Sequence, residues 1–304
     1  MKPLLQSIVE RKLSVVQTDP PDDTIRLYCI REVLQEILLY SLCNAGFFHF
    51  AALRGDTSLR LFHDLERFSE DLSFCLYNHA KDVDCSFHIR AAEKIIRTFC
   101  MPVHIDITEK YSESGREPSS EKSDRLELHL CFNLDEKILH RKETITIQIE
   151  LDRTQFRHHK TLSAFRSEYL PYHVQLCDMP TLLADNIHAI LCRNGNPGQV
   201  DGRDLFDFVS FSSRKSPVNM QYLQEKLVHS GYIARDAPLA LAMVQAFLKE
   251  KWHNIDYREA RKDVDHLSFI PYFTNAWTCE FFCFLARNLK ADAPEVQSLR
   301  TIRS

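Results

Sequence analysis

The sequence predicts an α/β half followed by a helical half, with the boundary near Leu170-Pro171. Three observations carry this expectation. Thr144-Ile-Thr-Ile-Gln-Ile-Glu-Leu151 alternates polar and apolar residues, the period of a half-buried strand. Residues 24–43 place Ile25, Cys29, Val33, Ile37 and Leu38 at helical spacing. After about residue 175 helical patterns take over, at 180–193, 203–213, 218–229, 237–252 and 273–290.

In chain order, the first 20 residues are mixed, and Asp19-Pro20-Pro21-Asp22-Asp23 breaks the chain ahead of the first clear helix. Phe47 to Leu53 reads as a buried strand that stops at Arg54-Gly55-Asp56. A short helix then starts at Thr57, with Asp56 as N-cap or, alternatively, as a ligand contact. Leu72 to Leu76 is a second strand, 86–99 a helix, and Val103 to Ile107 and Leu126 to Phe132 are extended. The polar, aperiodic segment 111–124 is expected to be a mobile hairpin loop.

Composition narrows the functions open to this chain. Its 304 residues, 44% hydrophobic and 26% charged, match a soluble globular protein long enough for one large domain or two ordinary ones. No apolar run approaches the ~18–20 residues that span a bilayer. Glu10, Arg11 and Lys12 interrupt the start, so neither a signal core nor a membrane role is expected, and the localisation expected is cytoplasmic. A net charge of −4 argues against coating nucleic acid by bulk charge; a local patch would be needed. The best such patch is Arg157-His-His-Lys160 with Arg153 and Arg166, where His158-His159 reads as part of a solvated basic turn rather than a metal pair.

Seven glycines make about 2% of the chain, against a usual ~7%, and neither a P-loop nor a dinucleotide fingerprint is present. The ten cysteines are irregularly spaced and form no C-x-x-C, which points to reduced thiols. Cys279 and Cys283 share a helix face among aromatic residues. No histidine nearby in the sequence completes a ligand set, so the pair reads as core packing.

One segment carries chemistry. Leu53-Arg-Gly-Asp-Thr-Ser-Leu59 ends a strand in Gly55 and starts a helix at once, and a second strand begins near the acidic Asp71. Glycine lets a ligand approach the backbone, and free amides at a helix start attract phosphate. Asp71 then stands where it could hold a divalent metal against that phosphate. Glu150 lies between two apolar strand residues, so pleat parity puts it with Gln148 and Asp152 on the face opposite Ile149 and Leu151. Its bland reading is a solvated strand residue.

These blocks resemble the nucleotidyltransferases of the AbiEii/AbiGii toxin family, a branch of the polymerase-β-like superfamily. The matching residues are Gly55, Thr57, Ser58 and Leu59, then Arg67-Phe-Ser-Glu-Asp-Leu72, then Ile149-Glu-Leu151. Leu183-Ala-Asp-Asn-Ile-His-Ala-Ile-Leu191 with Arg203-Asp-Leu-Phe-Asp207 is similar to the family's third block. Asp263-Val264 and the aromatic helix near Trp277 are similar to its C-terminal end. The chain departs from the family pattern at Asp56 for a second glycine, Ser73 for the second acid of Asp-x-Asp, and Asn186 for a lysine.

The resemblance implies an α/β (α+β) nucleotidyltransferase-like N-terminal domain with a mixed sheet over 1–170, and an all-helical C-terminal domain over 171–304. It implies NMP transfer from an NTP to an acceptor hydroxyl, with Mg²⁺ or Mn²⁺ as cofactor. The expected acceptor is RNA, a tRNA 3′ end in several relatives, and the expected protein partner is a cognate antitoxin. By residue, Asp71 and Glu150 would hold the metal, and Glu150 would also help activate the attacking hydroxyl. Gly55, Thr57 and Ser58 would cradle the triphosphate, with Ser69, Asn186 and Arg203 also on the nucleotide side, and Asp204 would be the essential acid of the third block. Without the resemblance, Arg203 and Asp204 read as the favourable start of a helix and Asp207 as a surface or capping acid. The rival function is a nucleotidyltransferase-fold module that binds a nucleotide, RNA or protein without turnover.

Overall fold

The computed structural model describes residues 4–15, 23–77, 85–98, 107–111, 125–134, 143–154, 156–193, 200–265, 267 and 273–292. The chain forms two compact units, one of residues 1–178 with 264–272 and the other of 179–263 with 273–304.

The first unit runs α1 (Leu4–Val15), α2 (Asp23–Asn44), β1 (Ala51–Arg54), α3 (Gly55–Phe62), β2 (Leu72–Leu76), α4 (Cys85–Thr98), β3 (Ile107–Tyr111), β4 (Arg125–Leu134), β5 (Glu143–Asp152), β6 (Thr161–Arg166) and β7 (Tyr172–Cys177). Its strands form one seven-stranded sheet in the order β3-β4-β5-β2-β1-β7-β6. The sheet is mixed, as expected: β2 and β5 are parallel, as are β1 and β7, while β1 and β2 are antiparallel. The expected boundary at 170 falls short of β7. This strand pairs in parallel with β1 through Leu53 and Leu176, a long-range partner that local periodicity does not reveal.

Alternation sorts the sheet into two faces. Leu72, Phe74, Ile147, Ile149, Leu151, Leu128 and Leu130 are buried in one core with Val33, Leu34, Ile37 and Leu38 of α2. Buried nearly all round, α2 carries polar residues that must be answered inside the fold. Lys12 and Arg60 answer Glu32, Arg60 at 2.7 Å, and Arg166 answers Glu36.

The expected strand from Phe47 is shorter. Gly46, at φ +74°, turns Phe47–His49 into a 3₁₀ turn, and Phe47 plugs the core against Phe50 and Phe74. The expected strand over 103–106 and the loop over 112–124 lie outside the described residues; β3 and β4 on either side of that loop pair antiparallel.

The second unit contains α5 (Met179–Cys192), α6 (Gly202–Ser213), β8 (Pro217–Val218), α7 (Met220–His229), α8 (Leu241–His253), α9 (Tyr257–Asp265), α10 (Cys279–Arg287) and β9 (Lys290–Ala291). The last two residues of α9 belong to the first unit. The expectation of an all-helical unit is corrected by the parallel pairing of β8 with β9. The helix expected over 237–252 starts only at Leu241, after Pro238. That over 273–290 is broken, because the Thr278 hydroxyl accepts the Phe281 N–H and starts α10 afresh. Phe282 packs among Trp252, Trp277 and Phe208, so this aromatic segment is core, although Phe284 is exposed. No helix among the described residues is long and apolar enough to cross a membrane.

Candidate functional site

The site in the first unit begins where β1 ends. Arg54 is extended, and Gly55 takes φ +74°, a left-handed conformation that suits glycine, before the chain enters α3. A Cβ on Gly55 would stand 3.5 Å from the Cβ of Ser73, so the turn lies directly against β2. Asp56 is not the N-cap: that position belongs to Arg54. In the first turn of α3, the Asp56 carboxylate accepts from the buried Arg67 at 3.1 Å and from the Thr57 N–H at 3.1 Å.

Thr57, Ser58 and Ser69 are buried. Thr57 Oγ1 shares a hydrogen bond with Ser69 Oγ at 2.6 Å and donates to the Asp71 carbonyl. Desolvated hydroxyls need internal partners, and these two clamp the loop at 69–71 onto α3. From α2, Gln35 donates to the Ser69 carbonyl at 3.2 Å and Arg31 to the Thr146 carbonyl at 3.0 Å. The loop before Asp71 is therefore held from both sides.

Strand register assembles the rest. Ser73 pairs with Arg54 on β1 and with Glu150 on β5, and Glu150 pairs with Glu127 on β4. Paired residues share a face, so Arg54, Ser73, Glu150 and Glu127 form one row across four strands. Asp71 is two residues from Ser73, and its carboxylate accepts the Gln148 N–H at 3.4 Å. Asp71 and Glu150 therefore occupy one half-exposed face, next to the Gly55 turn.

The charges on this face are uneven. Burial, then the neighbouring charges of Asp56 and Glu70, push the Asp71 carboxyl above its ordinary range, against the pull of the Gln148 N–H and of Arg31. An added cation would relieve that strain. At the other end, the buried guanidinium of Arg54 lies 3.0 Å from Asp152 and 3.9 Å from Glu150. Among the described residues no close group of three His, Cys, Asp or Glu ligand atoms includes Asp71 or Glu150. Both carboxylates are hard oxygen donors, the kind that Mg²⁺ takes together with water and phosphate oxygens. Sequence reasoning passed over Arg54, Arg31, Gln35 and Glu127. For Glu127 the signal was available, in the alternation of Leu126-Glu-Leu-His-Leu130.

A second cluster lies in the second unit, where α5 and the start of α6 bring the third-block residues together. Asn186 donates to the Asp204 carbonyl at 2.9 Å, and both Asp204 carboxylate oxygens accept from Arg193 at 3.2 Å. Asp201 caps α6 by accepting the Arg203 N–H at 2.9 Å, and its carboxylate binds the Arg203 side chain at 2.8 Å. Although burial pushes Asp201 up, the hydrogen bond and charge of Arg203 hold its carboxyl below the usual range. Arg203 thus folds back on its own cap, and Asp207 is buried rather than a surface acid.

The expected basic patch is only partly a surface. Arg166 binds Glu36 through two nitrogens, both at 2.9 Å, and also Glu168. His159 donates from Nδ1 to the Phe156 carbonyl at 2.8 Å and stacks on Tyr77.

A family model for the nucleotidyl transferase AbiEii toxin of Type IV toxin–antitoxin systems matches residues 37–278. No curated protein matches the chain. Among solved structures, a protein of H. pylori assigned as a nucleotidyltransferase is 16% identical, covers 84% of this chain and 89% of its own, and superposes with a TM-score of 0.47. JHP933 from Helicobacter pylori is 17% identical over 86% of this chain and 88% of its own, with a TM-score of 0.45.

Proposed function

Because this chain belongs to the AbiEii family of nucleotidyl transferase toxins, we propose that it transfers an NMP from an NTP to a hydroxyl of RNA. In the reaction the acceptor oxygen bonds to the α-phosphorus, the bond from that phosphorus to the β-phosphate oxygen breaks, and pyrophosphate leaves. The observation that carries this reading is the shared face of Asp71 and Glu150 beside the side-chain-free turn at Gly55.

Asp71 and Glu150 would hold one Mg²⁺ or Mn²⁺, which neutralises charge on the phosphates and polarises the reacting phosphorus. Glu150 accepts the proton of the attacking hydroxyl. Gly55 lets the triphosphate lie against the backbone, while the Thr57–Ser69 clamp keeps Asp71 in place. Arg54 holds Asp152 and the far side of Glu150. Arg203 and Asp204, the third-block residues, belong to the second unit, where Asn186 holds the Asp204 peptide. A tRNA 3′ end is the acceptor proposed, with the Arg157–Lys160 segment against its backbone, and a cognate antitoxin is the protein partner. We place the activity in the cytoplasm, where NTP and tRNA meet.

The test is incubation with each labelled NTP, Mg²⁺ or Mn²⁺, and total tRNA. Incorporation that requires both metal and Asp71 supports the proposal; folded protein that incorporates nothing under any combination retires it. Ser73 supports a second reading, because a serine rather than a carboxylate pairs with Glu150. On that reading NTP binds without metal and without turnover, which calorimetry distinguishes. Ser73→Asp adds a carboxylate on the same face. The expected result is a divalent-cation affinity raised by about 10-fold or more. Unchanged affinity would place the Ser73 side chain away from the cation.

A further inference from the structure

Cys279 and Cys283 lie one turn apart at the start of α10, with Sγ atoms 3.9 Å apart. The histidine missing from the neighbouring sequence comes from another helix. His253, the last residue of α8, brings a ring nitrogen to the pair, and the three candidate ligand atoms lie within 4.8 Å of one another. Among the described residues this is the one group of three such side chains that gathers so closely.

Geometry and chemistry together distinguish the trio from packed thiols. A tetrahedral zinc ion, with bonds of about 2.3 Å to sulfur and 2.0–2.1 Å to nitrogen, separates its donors by about 3.6–3.8 Å. The two sulfurs already stand near that spacing, and the imidazole needs only a small closure. His253 Nδ1 is 2.7 Å from the Lys249 carbonyl, one turn back on α8. With Nδ1–H donating there, Nε2 keeps the lone pair, the way metal-binding imidazoles are commonly held. Burial is graded, from Cys283 inside, through half-buried Cys279, to exposed His253. An ion here would sit at the surface with one coordination position towards solvent.

We propose that His253, Cys279 and Cys283 form a site for a thiophilic divalent cation of the Zn²⁺ class, which ties the end of α8 to the first turn of α10. Thiolate and imidazole donors select Zn²⁺ over Mg²⁺, whereas Asp71 and Glu150 are hard oxygen donors. The proposal is independent of the transferase reading.

The experiment strips the full-length protein with a chelator, adds back Zn²⁺ alone, and measures stoichiometry against a chromophoric chelator. Co²⁺ loading reports sulfur ligation through a thiolate-to-cobalt charge-transfer band. The expected result is one tight equivalent, not displaced by excess Mg²⁺, with a charge-transfer band. Because His253 is exposed, His253→Ala keeps the fold, and the affinity should fall by at least about 10-fold. Cys279→Ser should weaken the band. Three results would overturn the proposal: tight Zn²⁺ binding untouched by both substitutions, no tight equivalent in the reduced wild-type protein, or a Cys279–Cys283 disulfide as the sole chemistry of the pair.

Discussion

Asp71→Asn is expected to reduce nucleotidyl transfer by about 10²-fold or more, since the lost carboxylate both binds the cation and places it against the phosphates. The same substitution should make the protein more stable at neutral pH. In the folded protein, burial and the charges of Asp56 and Glu70 raise the Asp71 pKa above its unfolded value. The native state therefore binds this proton more tightly than the unfolded state. Stability falls as pH rises from the unfolded pKa to the folded one, and the loss persists above both. Asparagine is neutral at every pH and removes that penalty. Thermal unfolding should show a higher midpoint for Asp71→Asn at neutral pH, and the gap should narrow as the solution is acidified. Saturating Mg²⁺ or Mn²⁺ should raise the wild-type midpoint and leave that of the variant unmoved. A variant that keeps full transfer, or that is less stable than wild type at neutral pH, would refute this assignment.

Arg166→Ala should destabilise the first unit by about 3–5 kcal/mol, because it leaves the Glu36 carboxylate buried without its cation. Burial already raises the Glu36 pKa despite the hydrogen bond and charge of Arg166. Without the guanidinium it rises further, so the deficit should be full above the new folded pKa and shrink as pH falls through it. Urea unfolding at neutral and acidic pH measures both. Arg166→Met with Glu36→Gln should recover much of the loss, since an unpaired polar amide costs less than an unpaired charge. A cost below about 1 kcal/mol at neutral pH would return Arg166 to the surface patch that the sequence suggested.

Part of the fold is legible in single segments. The alternation over 144–151 and the apolar run Leu72–Leu76 became β5 and β2, because a strand with one buried face writes its period into its own residues. The same alternation put Glu150 and Asp152 on the face opposite Ile149 and Leu151, as the register bears out. Short strands resisted this logic. Tyr172–Cys177 exists because it lies alongside β1, more than a hundred residues earlier, and Thr161–Arg166 is an exposed strand that, among the described residues, pairs only with β7.

Side-chain direction was harder still to read. The residues Thr57 and Ser69 are those of a phosphate-binding motif, yet their hydroxyls spend themselves on each other and on the Asp71 carbonyl. Arg54 next to a glycine gave no sign that Asp152 and Glu150 would close on it. Nor did Cys279 and Cys283 announce a histidine that arrives from a separate helix.

Family membership, the approximate place of most helices and strands, and the two acids on one strand face are properties of local order, since period and motif spacing survive without any knowledge of long-range contacts. The partners of those groups are a different kind of fact. Which cation answers Glu36, which hydroxyl faces inward, and which imidazole meets two thiols depend on chain segments far apart in sequence. Those segments become neighbours only when the sheet closes and the helices pack. Burial then forces each polar atom to settle with whatever the fold has brought beside it.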